Sequence, residues 1–394
     1  VSSPDPFALY LHIPFCAARC PYCDFNTYAG LESLFEPYTA ALVEEVRRAG
    51  ASRGRPPVRT VFIGGGTPTV LPPALLEEIL DACREAFDVS RNAEISSEAN
   101  PGTVDQARFV ALRDLGINRL SLGVQSFEDA ELRWLGRIHS AAEAEAAFAA
   151  ARTAGFRNIN LDFIFGVPGQ SLDTWARTLA HAIALGPEHL SLYALTVEPD
   201  TPLAAQVHSG RVDEPDDDLA ADLYLAASDA LATAGYVQYE ISNWARNDQR
   251  PASALGPLHG SLACYHNLVY WHNEPYLGFG AGAHSYDGER RWWNVSRVPA
   301  YVQRIQAGNP PEAGGETIER RLAMGETMML GLRLVQEGVT GARFRERFGL
   351  ALDDVFAEQI TKLVASGLLE RLPDRVRLTS RGRLLGNQVF AEFL

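Results

Sequence analysis

Strand-like and helix-like segments alternate along the first 200 or so residues, and this constrains the fold more than any other feature. LYLHI (9–13), TVFIG (60–64), AEISSEA (93–99), RLSLGV (119–124), NINLDFIFG (158–166) and HLSLYAL (189–195) have strand length and are rich in branched and aromatic residues. Between and after them, 31–50, 73–88, 103–115, 140–154, 171–185 and 216–234 have helical length and periodicity. Repeated strand–helix units require right-handed crossovers and a parallel sheet with helices outside it. Six units fall two short of the common eightfold barrel, so the spacing predicts a partial (β/α)6 barrel, crescent-shaped and open enough for a large ligand. This α/β core is assigned to 1–235.

Beyond residue 235 the pattern changes. Segment 236–312 is turn-rich and aromatic, including ACYHNLVYWHNEPYLGFGAGAHSY, and is expected to build against the barrel. Residues 313–394 read as a small winged-helix-like C-terminal domain, with helix-like 317–332 followed by helix, turn and two-stranded wing. A winged helix invites a nucleic-acid reading, but the formal net charge is -14 and no basic tract stands out, so no nucleic-acid partner is expected. The start VSSPDPF lacks a signal peptide's basic and apolar regions, and no 18-residue apolar run occurs. The expectation is a cytoplasmic protein that is not integral to a membrane; peripheral membrane contact stays open.

Three of the five cysteines, Cys16, Cys20 and Cys23, fall in HIPFCAARCPYCDF with the spacing C-x3-C-x2-C. A disulfide framework would spread an even number through a much smaller chain. A structural zinc ion wants four ligands, whereas His12 precedes the set on a predicted strand. A [4Fe-4S] cluster held by three thiolates keeps one iron open to a small chelating ligand. Zinc and three unligated buried thiols remain the alternatives. Cys83, in the helix-like DACREAF, reads as an inert small hydrophobe.

With Tyr22 just before the last cysteine, the triad resembles the radical S-adenosylmethionine superfamily. YLHIPFC, CPYCDF, GGGTPT, SLGVQSF, GRIH and NLDFIFGVPGQ together resemble its oxygen-independent coproporphyrinogen oxidase-like group, most closely the haem-chaperone branch, over nearly the whole chain. The resemblance implies a [4Fe-4S] cluster on Cys16, Cys20 and Cys23. It also implies an S-adenosylmethionine site lined by Tyr10, Tyr22, Gly65, Gly66, Thr67, Glu98, Gln125, Arg137, Asp162 and Thr196, the last placed only by its spacing after the sixth strand. The residues agree with this: glycines after the second strand let backbone approach a ligand, and Glu98, Gln125 and Asp162 are polar interruptions of apolar strands near one barrel mouth, where an unpaired group costs about 1–3 kcal/mol. Arg137 is a cation able to neutralise a carboxylate.

The same cofactors serve different reactions. The oxidase pattern is C-x3-C-x2-C-x-C, but Phe25 stands at the position of its further cysteine, and with Tyr10 already in the first strand the longer N-terminal extension of the oxidase is not expected. His266, Asn267, Tyr270 and Trp271 form an H-N-x-x-Y-W motif that the resemblance associates with haem; a histidine can supply an axial nitrogen and the aromatics a flat apolar surface. Cys264, His272 and His284 are alternative ligands, and an aromatic loop simply packed on the barrel is the bland reading. The resulting expectation is a chaperone that binds haem and passes it to an acceptor protein, with an electron donor serving the cluster. An oxygen-independent coproporphyrinogen III dehydrogenase and a radical enzyme with another substrate are the alternatives.

Overall fold

The structure is a computed structural model describing residues 6–247 and 262–394. Six parallel strands pair in sequence order: β1 (Phe7–Ile13), β2 (Pro57–Gly65), β3 (Asp88–Ala99), β4 (Arg119–Gln125), β5 (Ile159–Phe165) and β6 (His189–Ala194). The connections carry helices α1 (Phe35–Arg53), α2 (Pro73–Ala86), α3 (Gln106–Asp114), α4 (Asp129–Trp134), α5 (Ala141–Thr153) and α6 (Leu172–Leu185); α7 (Pro202–His208) and α8 (Asp217–Thr233) follow β6. Local chemistry sets the helix ends. Asp105, Ser140 and Ser171 accept from backbone N–H groups of their first turns, while Gly54 and Gly186 close α1 and α6 in the left-handed conformation.

The segment after residue 235 extends the sheet at both edges. β7 (Tyr236–Glu240) and β8 (Asn243–Arg246) add antiparallel beside β6. At the other edge, β9 (Tyr276–Phe279) pairs parallel with β1, and β10 (His284–Tyr286), β11 (Arg290–Asn294) and β12 (Glu312–Thr317) continue antiparallel. The predicted loops and short strands against the barrel are thus continuations of one 12-stranded sheet. Two further helices pack here, α9 (Tyr265–Trp271) and α10 (Val298–Gln306).

A second core lies in the C-terminal part. Helices α11 (Arg320–Gly331), α12 (Gly341–Phe348) and α13 (Leu352–Ala365) pack Met328, Phe344, Phe356 and Leu363 with Leu378 of a three-stranded sheet. That sheet comprises β13 (Val339–Thr340), β14 (Leu369–Arg371) and β15 (Arg375–Leu378), β15 lying between the others as the wing's centre. Among the described residues no helix is long and apolar enough to cross a membrane.

Candidate functional site at the barrel mouth

Parallel strands deliver their C-terminal ends to one side, and the cysteine loop leaves β1 there. Phe15–Cys16 pairs with Tyr28–Ala29, closing the loop at its base, and Asn26 donates to the Ala281 and Ser296 carbonyls, tying it to the connections that follow β9 and β11. Cys16, Cys20 and Cys23 are unpaired and partly exposed. Thr67 donates to the Cys16 sulfur at 3.7 Å and the Arg137 guanidinium to the Cys20 sulfur at 3.5 Å, while Cys23 lies 3.8 Å from the Thr27 hydroxyl. Burial, and then the proximity of Cys23 and Cys20, raises the Cys16 thiol. Among the described residues no three His, Cys, Asp or Glu side chains stand ready as a metal ion's ligand set. What fits a cluster is the donor chemistry: three accessible thiols on one anchored loop, with a cation beside one of them.

Behind the loop, period-2 alternation turns a column of polar side chains inward. Glu98, Arg119, Ser121, Asn160, Asp162 and Ser191 help line a cavity of about 200 Å³. A second cavity, of about 310 Å³, opens beside it and shares Tyr10, Glu98 and Tyr270. Glu98 accepts from the Gly65 N–H at 3.0 Å, yet burial and the neighbouring Asp162 push its carboxyl up to about 8. Asp162 accepts from Ser121 at 2.9 Å and Asn160 at 2.8 Å, and burial outweighs those bonds to raise it too. Arg119 is only 2% exposed and its charge opposes both carboxyl shifts.

The floor of this space is α9. Glu94, from β3, accepts from the Tyr265 and His266 backbone N–H groups, each at 3.1 Å, and from the Cys264 thiol at 3.5 Å, capping the helix at its start. His266 is 1% exposed with both ring nitrogens engaged, Nδ1 with the Thr60 hydroxyl at 2.9 Å and Nε2 with the Tyr270 hydroxyl at 3.0 Å. Burial, then Arg119 and Arg59, holds its pKa down at about 3, so the ring is neutral. Trp271 turns the other way and carries the Arg333 guanidinium over its face at 4.4 Å.

Comparison with known proteins places this architecture. Residues 10–182 match the model of the radical SAM superfamily, and 318–385 match the HemN C-terminal domain. The heme chaperone HemW of Bacillus subtilis is 38% identical over 386 residues, covering 98% of both chains; that of Mycobacterium tuberculosis is 39% identical over 393 residues, covering 99% of this chain and 95% of the relative. The chain belongs to the HemW family of radical SAM proteins. Among solved structures, the coproporphyrinogen III oxidase HemN of Escherichia coli superposes with a TM-score of 0.83 at 26% identity, covering 98% of this chain and 90% of that one.

Seen within the HemW family, the residues singled out from sequence form three groups. Tyr10, Glu98 and Asp162 line the smaller cavity, and Tyr10, Gly65 and Glu98 the larger. Tyr22, Thr67, Gln125 and Arg137 gather by the cysteine loop: burial raises the Tyr22 hydroxyl against the opposing charge of Arg137, and Arg137 donates to the Gly123 carbonyl at 2.8 Å. A methyl group on Gly123 would come 3.0 Å from the Gln125 amide and 3.2 Å from the Arg137 guanidinium, so a bare backbone lets both pack there. Thr196 lies apart, exposed after β6 and bonded to the Ala194 carbonyl at 3.4 Å.

Three sequence arguments need correcting. The glycine run does not merely clear space for a ligand: Gly65 has φ +112 and a methyl there would come 2.4 Å from the His12 ring, while one on Gly66 would come 2.5 Å from the Phe15 carbonyl oxygen. Glu98 and Asp162 are not left without partners, because the barrel supplies them. The H-N-x-x-Y-W residues do not all share one surface: His266, Asn267 and Tyr270 line the smaller cavity, His266 with its ring also bonded to Thr60, whereas Trp271 packs toward Arg333. Sequence reading missed Arg119, Ser121, Asn160 and Ser191, although R-L-S-L-G-V-Q, N-L-D and S-L-Y display polar or small residues at every second strand position.

Proposed function

We propose that the chain binds haem and hands it to an acceptor protein, and that a [4Fe-4S] cluster and S-adenosylmethionine at the barrel mouth govern that transfer. The observation that carries this reading is the near full-length similarity to heme chaperones. Cys16, Cys20 and Cys23 would hold the cluster, which when bound supplies one-electron chemistry at an iron open to S-adenosylmethionine. Thr67 and Arg137 orient and offset the charge of two thiolates. Glu98 and Asp162 offer carboxyl oxygens to the hydroxyl and amino groups of a cofactor, and Tyr10 walls the space between them. Phe25, standing where the oxidase pattern has a further cysteine, favours chaperone over oxidase. An electron donor and a haem acceptor are the partners this reading requires, and a cytoplasmic setting suits both.

The test is anaerobic reconstitution followed by titration with haem and, in parallel, an assay for conversion of coproporphyrinogen III to protoporphyrinogen IX. Saturable haem binding without turnover supports the chaperone. Robust turnover rejects it in favour of the oxidase, and neither outcome in reconstituted protein points to a radical enzyme with another substrate.

A further inference from the structure

Nine histidines occur in the chain, and the eight among the described residues sit in sharply different environments. His12, His139, His189 and His266 each have both ring nitrogens in hydrogen bonds. His181 and His272 pair with Glu145 and Glu337, and His208 bonds the Ala204 carbonyl. His284 is different: its ring is exposed and makes no hydrogen bond or ion pair among the described residues. It is not loose, however. β10 pairs with β11 so that His284 lies opposite Trp293, and the two rings stack at 5.8 Å with an interplanar angle of 28°.

The imidazole lines the 310 Å³ cavity, whose other walls combine the rings of Tyr10, Phe25, Tyr270 and Tyr276 with the polar His12, Asn26 and Glu98. Phe25 is 63% exposed there, a large apolar side chain left in water on an otherwise anchored loop. A free aromatic nitrogen beside the rings of Phe25, Tyr270 and Tyr276 is what a metalloporphyrin needs: one ligand for iron and ring faces for the macrocycle. An open cavity also suits a cargo that must leave again. Partial burial and then Arg291 lower the His284 pKa, favouring the neutral, metal-binding form of the ring. The competing ligands are closed off. His266 would have to give up a hydrogen bond inside the barrel floor, and burial pushes the Cys264 thiol there up to about 12.

We infer that haem binds at the barrel mouth with the His284 imidazole on its iron and Phe25 against its face, and that His266 orders the floor below. This rests on the haem-binding reading above. It gives Phe25 a positive role as part of the cargo site, beyond marking a missing cysteine.

The test is titration with ferric haem of wild type, His284→Ala, Phe25→Ala and His266→Gln, read by the Soret and visible bands and by electron paramagnetic resonance, with circular dichroism as the check on folding. His284 is exposed, so its loss should leave the fold intact. The expected result is that His284→Ala loses the imidazole-ligated spectrum and binds at least tenfold more weakly, that added imidazole restores the spectrum, and that Phe25→Ala keeps the ligation bands with weaker binding. A folded His284→Ala protein with an unchanged spectrum overturns the assignment. So does loss of imidazole ligation in His266→Gln while His284→Ala keeps it. Wild type that binds no haem would overturn the haem-binding reading itself, so the two failures are distinguishable.

Discussion

Glu98→Gln tests whether the barrel mouth really holds a protonated carboxyl. Glu98 sits near 8 because burial and Asp162 outweigh its bond from Gly65. An unfolded glutamate titrates near 4.3, so between that value and 8 the folded chain keeps a proton the unfolded chain has lost. The native state then binds more protons, and stability falls as pH rises, by about 1.4 kcal/mol per unit until the folded group itself ionises. From pH 6 to pH 8 the loss attributable to Glu98 comes to about 2 kcal/mol, rounded at the upper end by ionisation near pH 8. Glutamine keeps the shape and cannot titrate. Urea unfolding at pH 6 and pH 8 should therefore show wild type losing about 2 kcal/mol more than Glu98→Gln across that interval. Equal losses in the two proteins would refute the protonated carboxyl and, with it, the strength of burial at this mouth.

Other perturbations probe the floor, the turn and the loop. Glu94→Ala removes the acceptor for two backbone N–H groups of α9 and should cost about 1–3 kcal/mol in denaturant unfolding, because the His266 N–H stays buried. Gly65→Ala combines φ +112 with a 2.4 Å approach to His12, and a thermal midpoint lowered by several degrees is expected; an unchanged midpoint would show that the turn can shift at little cost. Cys20→Ala should lower iron and sulfide content after anaerobic reconstitution, whereas Cys83→Ala, deep in α2, should leave that content at the wild-type level.

The barrel was legible because parallel strands buried on both faces are written as short apolar runs, and the helices between them as longer periodic ones. The cysteine loop was legible because three thiols within eight residues stand out in any sequence. The position of α9 was not. YHNLVYW reads equally well as a haem platform or as packed aromatic helix, and what decides its place is Glu94, a strand residue about 170 positions earlier that no local pattern connects to it. For the same reason His284, His272 and His266 looked like near-equivalent ligands in sequence. Tertiary contacts separate them, one paired with Glu337, one bonded to Thr60 and Tyr270, and one left facing the mouth.

The pairing of β9 with β1 also bears on how the chain comes to be made. Ala8 waits for Tyr276, so at roughly 5–20 residues per second on a ribosome the free edge of the first strand stands open for tens of seconds while the chain between them is built. Throughout that time an apolar edge lies unpaired beside a thiol loop closed only at its base, exposed to the edge-to-edge association that closed sheets avoid. The loop's anchor at Ala281 arrives only with the same late strand. Until then the cysteine loop is held only by its own base, the pairing of Phe15–Cys16 with Tyr28–Ala29, and the order of assembly is set by where in the message the ninth strand is encoded.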